Sequence, residues 1–409
     1  MKKLIERLQN NKILKNVLYV SICILCFLYI FSIPSFSGRV KLNLIPYLFM
    51  GLLVVVTLIY SVVYAKRVPF KPFIIVFAFA VWCGVGTLVF SHNFRGWLTI
   101  VLLTITSFTL FIAFVSINNN RLMTLIIAAA LFSFCIYYIA FYSKIIFDIN
   151  ALKRGGFQLG LDFDNTNSIG FYMFLLFTIS LFRLLNYKKR IDLIFIFSIV
   201  VALLCGILTG SRSFFINVLI STIAIVISRF KTKKWLAIVI LASIFTLAIV
   251  IINLPFASFI KEKFLKMFSM ILANGSDTSA TERILWQTYG IYLGSKNPFI
   301  GYGMNGYAIY SGVGTYTHGN LAEIFCDYGV IGILLFYGTL FILARKSFYG
   351  KNEMHFLVFT FCCVFFLDSV ISLYYTDKSF YVILGMSFAL VFDTFKKKQA
   401  VVENYAIVI

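Results

Sequence analysis

The chain has 409 residues, of which 61% are hydrophobic and only 12% charged, and its mean hydropathy is +0.95. A soluble domain carries roughly 25% charged residues, so this composition excludes a water-soluble globular protein and makes the bilayer the solvent. The formal net charge of +21 is then a matter of location: in a polytopic protein such an excess marks cytoplasmic loops facing anionic headgroups, not nucleic acid.

At roughly 20 apolar residues per crossing, the pattern predicts an all-α, polytopic integral membrane protein with about 12 transmembrane helices and one long extracytoplasmic loop. The spans are expected at 17–34, 42–64, 72–90, 98–117, 122–142, 167–186, 191–209, 213–229, 235–256, 320–344, 355–374 and 379–395. The start Met1-Lys2-Lys3 resembles a secretory signal, but the apolar run that follows is longer than an h-region, so it is read as an uncleaved first span. Lys and Arg are denser in the connections on the N-terminal side, which predicts cytoplasmic N- and C-termini in a multi-pass cell-membrane protein. Residues 1–409 thus form a single membrane domain. Cys23-x-x-Cys26 lies on an apolar helix with no second ligand pair, and packing explains it better than zinc or redox chemistry.

Two connections are long, 143–166 and 257–319, and both fall on the outer side. Long ordered connections are uncommon unless functional, so the chemistry is expected there. In the larger loop, residues 259–268 alternate apolar and cationic side chains at helical spacing, as in an interfacial helix. Residues 281–292 read as a second helix, ended by Asn297-Pro298, with Arg283 and Trp286 one turn apart on a shared face. The run Gly301-Tyr302-Gly303-Met304-Asn305-Gly306 matches a dinucleotide fingerprint in letters only. It lacks the strand before it and the helix after it, so its glycines are read as allowing a tight backbone path where a substrate or helix approaches closely.

His318 stands just before the tenth span, and the other histidines, His92 and His355, lie in different loops, so a multi-histidine metal site is not expected. Imidazole is the side chain best suited to take a proton near neutral pH. Glu323 and Asp327 follow inside the span, where a carboxylate must face protein or water. Thr209-Gly210-Ser211-Arg212-Ser213 joins two spans on the outer side, placing a guanidinium at a helix N-terminus, an arrangement that suits phosphate. The stretch from Asp162 to Gly170 opens the sixth span and offers polar groups such as Asn167, with Asn165 or Asn167 as the helix cap.

In their order and spacing from Asp162 to Gly332, these segments resemble the O-antigen ligase and polymerase superfamily of membrane glycosyltransferases. The carrying residues are Thr209 to Ser213, Arg283 to Trp286, Asn297 to Gly303, His318-Gly319-Asn320 and Tyr328-Gly329-Val330-Ile331-Gly332. Members more often have Asn directly after the histidine, whereas Gly319 intervenes here. The resemblance implies an oligosaccharide on an undecaprenyl pyrophosphate carrier as substrate. Arg212 and Arg283 would then bind the pyrophosphate, His318 would be the catalytic base, and Asn167, Ser211, Trp286, Asn320 and Glu323 would contact substrate. It further implies an inverting, metal-independent transfer with no cofactor, and as partners the bilayer, a chain-length regulator and a flippase. Polymerisation of repeat units into capsule, exopolysaccharide or O-antigen is favoured over ligation of a finished glycan to an acceptor. A non-enzymatic transporter of lipid-linked sugars is the third reading.

Overall fold

A computed structural model describes residues 8–36, 42–64, 70–146, 166–186, 193–229, 278–350, 353–370 and 372–392; the side chains of Arg212, of 226–229 and of 278–280 are outside this description. The described residues are helical wherever their secondary structure is regular. They form α1 (Lys12–Phe36), α2 (Ile45–Tyr64), α3 (Ile74–Gly86), α4 (Phe94–Ile117), α5 (Asn120–Phe141), α6 (Thr166–Asn186), α7 (Leu193–Thr209), α8 (Arg212–Arg229), α9 (Thr278–Lys296), α10 (Gly306–Ser311), α11 (Asn320–Phe348), α12 (Glu353–Asp368) and α13 (Lys378–Val391). A helix occupies each expected span except 235–256, which lies outside the described residues together with the expected interfacial helix at 259–268. Seven of the spans are long and apolar enough to cross a membrane: Lys12–Phe36, Ile45–Tyr64, Lys71–Ser91, Phe94–Ile117, Asn120–Phe141, Thr166–Asn186 and Asn320–Phe348. Leu193–Thr209, Ser213–Ile225 and Lys378–Val391 are shorter apolar helices.

Apolar side chains alone do not say which helices are central, because lipid and protein interior are equally apolar; burial does. From Ile169 to Phe182 every side chain of α6 is buried, and so is every side chain from Ser379 to Leu390 in α13. Helices hydrophobic all round and enclosed all round form the middle of the bundle. By contrast α2 exposes Leu48, Leu52, Val55, Ile59 and Val62, a stripe at helical spacing that suits acyl chains. Around the two central helices, α6 packs on α5, α7 and α8, α13 packs on α4, and α11 packs on α3, α9 and α12.

Local polar chemistry sets the helix starts. The Asn93 side chain accepts from Gly96 N at 3.1 Å to cap α4, and Asn119 caps α5 through the amides of Arg121 and Leu122. Asp377 caps α13 through Ser379 N at 2.7 Å, while the Ser211 hydroxyl accepts from Phe214 N at 3.4 Å at the start of α8. Each cap satisfies an amide that a helix leaves without an internal partner.

Helix α11 is broken at Gly329 (φ 66°, ψ −166°), and the loop 298–303 takes over the backbone groups released there. Tyr302 N donates to Cys326 O at 2.9 Å, Gly303 N to Asp327 O at 2.7 Å, and Val330 N to Pro298 O at 2.7 Å. The Trp82 indole donates to Tyr328 O at 2.9 Å. A broken helix at membrane depth is tolerated only where protein re-satisfies its backbone, and here a loop does so. The glycine run expected to allow close approach does so against helices: a Cβ on Gly301 would lie 2.4 Å from Asp327 C, and one on Gly303 would lie 2.5 Å from Gly86 O.

Candidate active site

A cavity of about 330 Å³ opens where the first turns of α6, α8 and α13 meet α9 and the turn carrying His318. Asn167 and Ser168 of α6, Ser213 of α8 and Lys378 of α13 all line it. Three helix N-termini therefore present their positive ends to one space. Each is equivalent to roughly half a unit charge, and together they favour an anion there. Arg283 adds a full charge from α9.

Ser211 holds α8 against α6. Its hydroxyl donates to Asn167 Oδ1 at 3.0 Å and lies 3.0 Å from the Ser213 hydroxyl. Gly170 permits this approach, since a Cβ there would lie 2.8 Å from Ser211 Cβ. Arg212 opens α8 between two serines, one of which lines the cavity.

His318 takes the left-handed conformation (φ 60°) and turns its ring between two aromatics. Trp286 stacks on it at 5.1 Å between centroids and 22° between planes, and Tyr316 lies 4.1 Å away at 44°. Burial, with a further contribution from the Arg283 charge, lowers the His318 pKa to about 4. The imidazole is therefore neutral at physiological pH and has a nitrogen lone pair free to take a proton. Burial likewise raises the Tyr316 pKa, against a lowering contribution from Arg283, which keeps the phenol neutral. Arg283, Trp286 and His318 thus come together, and Gln287, 31 residues before His318, adds a tie from its Nε2 to His318 O at 3.5 Å.

Glu323 and Asn320 are buried and do not line the cavity. The Glu323 carboxylate accepts from Thr317 N at 2.6 Å, fixing the backbone beside His318. Asp327 accepts from Asn305 N and Tyr307 N, each at 3.0 Å, and from the Tyr375 hydroxyl at 3.0 Å. Both carboxylates face protein, as burial in a span requires, and both anchor loop backbone or a neighbouring phenol.

One wall of the cavity escaped the reading of the sequence. It runs from Asp368 at the end of α12 through Tyr374 and Asp377 to Lys378. Asp368 is 2% exposed; its Oδ2 accepts from Asn217 Nδ2 at 3.0 Å and from the Tyr374 hydroxyl, while among the described residues its Oδ1 has no hydrogen-bond partner. A buried carboxylate oxygen without a donor is costly and stands ready for a hydroxyl. The signal was present in the sequence: Asp368 sits inside the apolar run 355–374, and an ionisable residue in such a run points to function.

Residues 197–337 match the family model described as O-antigen ligase. Over that stretch the chain is similar to the O-antigen ligase family. The matched stretch begins inside α7 and ends inside α11, so it contains Ser211, Arg212, Arg283, Trp286, His318, Asn320 and Glu323. Asn167 and the Asp368 to Lys378 wall complete the cavity from outside the O-antigen ligase match. No curated protein matches the chain.

Proposed function

We propose that this protein is a membrane glycosyltransferase that polymerises undecaprenyl-pyrophosphate-linked oligosaccharide repeat units into a surface polysaccharide. The observation that carries the reading is the cavity itself, in which a neutral histidine faces a guanidinium and three helix N-termini. The oxygen of an acceptor sugar hydroxyl attacks the anomeric carbon, the bond from that carbon to the pyrophosphate oxygen breaks, and the hydroxyl proton passes to His318. The pyrophosphate leaves on its lipid carrier, and displacement from the opposite face inverts the anomeric centre. Charge develops on the leaving oxygen, where Arg283, Arg212 and the helix ends stabilise it without a metal. Asn167, Ser211 and Trp286 hold the sugars or the residues around them. In this reading the chain has twelve spans and both termini in the cytoplasm, so the cavity opens at the outer face. There a flippase would deliver substrate and a chain-length regulator would limit product.

The family description supports a second reading, transfer of a finished glycan from the carrier to a separate acceptor. Purified protein in vesicles with a lipid-linked repeat unit separates the two: a ladder of products means polymerase, and transfer only to an added acceptor means ligase. Product formation is expected to survive EDTA. Arg212→Ala and Arg283→Ala should each lower turnover by roughly 10²- to 10³-fold with insertion intact. Absence of any glycosidic product from the wild type would overturn both readings in favour of a transporter.

A further inference from the structure

Two walls of the cavity come from segments about fifty residues apart, the turn holding His318 and the stretch from Asp368 to Lys378, and one side chain joins them. Asn320 is fully buried. Its amide N–H donates to Ser369 O at 2.8 Å and Ser372 O at 3.1 Å. Its Oδ1 accepts from Tyr374 N at 2.9 Å and Tyr375 N at 3.0 Å, and its Nδ2 donates to the Tyr337 hydroxyl at 3.2 Å. The side chain is thus committed to protein, two residues after the imidazole and directly upon the backbone of Tyr374, whose hydroxyl binds Asp368.

The His318 side of this joint is equally constrained. Glu323 holds Thr317 N, the Thr317 hydroxyl donates to Gly319 O at 3.0 Å, and a Cβ on Gly319 would lie 2.8 Å from the Gln287 side chain. Gln287 in turn donates to Val370 O at 2.9 Å, a second tie between the same two segments. A side chain shorter than Asn would leave two buried backbone donors without an acceptor, so the 372–375 turn would re-form around other partners. A longer one would push that turn away from His318.

We propose that Asn320 is a positioning residue of the transfer site: it holds the Asp368–Tyr374 wall in register with His318 and does not itself touch substrate. The proposal rests on the reading of His318 as the base and Asp368 as a partner for the acceptor hydroxyl. A misplacement of about 1 Å between such groups costs on the order of 10²-fold in rate.

The test uses the full chain in vesicles, with undecaprenyl pyrophosphate as the binding probe and a lipid-linked repeat unit as substrate. For Asn320→Ala, kcat is expected to fall by about 100-fold, while affinity for undecaprenyl pyrophosphate changes less than about threefold, since Arg283 and two of the three helix N-termini lie on the other walls. Asn320→Asp keeps an acceptor for both buried N–H groups and should recover turnover to within about tenfold of wild type. A raised KM with unchanged kcat would overturn the proposal by making Asn320 a direct substrate ligand. Wild-type turnover per folded molecule, with only folded yield reduced, would overturn it by making the residue merely structural. If Asn320→Ala does not fold, the Asp variant and Asn320→Ser carry the same comparison. No product from the wild type sinks the transferase reading and this proposal with it, whereas wild-type product and an unimpaired Asn320→Ala sink the positioning role alone.

Discussion

At the scale of single residues the site poses a problem of basicity. His318 is neutral because it is half-buried between Trp286 and Tyr316 and lies near Arg283, and the price of that neutrality is a pKa of about 4, far below the pH at which a general base works best. Substrate relieves the problem. A bound pyrophosphate offsets the Arg283 charge and favours the protonated imidazole, so His318 becomes more basic when the donor is in place. The sign follows directly. Protonation removes the base, so kcat/KM, which reports the free enzyme, should hold through neutral pH and fall as the pH drops through about 4, whereas the acid limb of kcat should lie above it. Coincident limbs near the ordinary histidine value would contradict a buried, Arg-facing imidazole. Trp286→Ala opens the stack to water, and the acid limb of kcat/KM should then move up by about one pH unit with the guanidinium still present. An unmoved limb would mean that the indole contributes nothing to burying the ring.

At the scale of elements, the site depends on a broken helix and the loop that splints it. The splint requires residues at 301 and 303 without side chains and with positive φ, 71° and 77°. Gly301→Ala adds a Cβ 2.4 Å from Asp327 C, whereas Gly312, with the same φ of 71°, has nothing within 4 Å of its added Cβ. Each alanine carries backbone strain of about 1–3 kcal/mol, but only the first also pushes the splint off α11. Thermal unfolding in detergent should therefore show Gly301→Ala losing at least about 3 °C more than Gly312→Ala; equal losses would mean that the close contact carries no stability. The pair also shows what the sequence made legible. Helix positions could be read from apolar runs, and a close backbone approach from the glycine run, because each leaves a local mark. The break at Gly329 could not be read, since a lone glycine within an apolar run is usually tolerated and its consequence depends on Pro298 and Tyr302, which come from another segment. Arg283, Trp286 and His318 were legible as chemistry-bearing residues near a membrane edge. Asn320 and Glu323 were legible as polar residues but not as loop anchors, because their partners, Tyr374 and Thr317, are set by tertiary packing. Asp368 and Tyr374 were passed over because they lie within the run 355–374, read only as a membrane span.

At the scale of the whole molecule, α11 is the candidate span that would connect the cavity to the opposite membrane surface. The stretch beyond its break at Gly329, from Val330 to Phe348, rises about 28 Å at 1.5 Å per residue, close to the roughly 30 Å of hydrocarbon. The first turn of α11 lies behind His318, and its last carries Arg345 and Lys346, with Phe348 and Tyr349 exposed beyond them. Cations flanked by aromatics favour a cytoplasmic interface, so the charge along this one helix supports the proposal that the cavity opens at the outer face. The eight native cysteines are buried or half-buried, which leaves little background for labelling. Val313 and Tyr349 are 41% and 75% exposed and lie beyond opposite ends of α11. In intact cells a membrane-impermeant maleimide should label Val313→Cys and leave Tyr349→Cys unmodified until the membrane is permeabilised. The reverse pattern would put the cavity in the cytoplasm, where a carrier-linked glycan already moved outward could not reach it, and the polymerase and ligase readings would fall together.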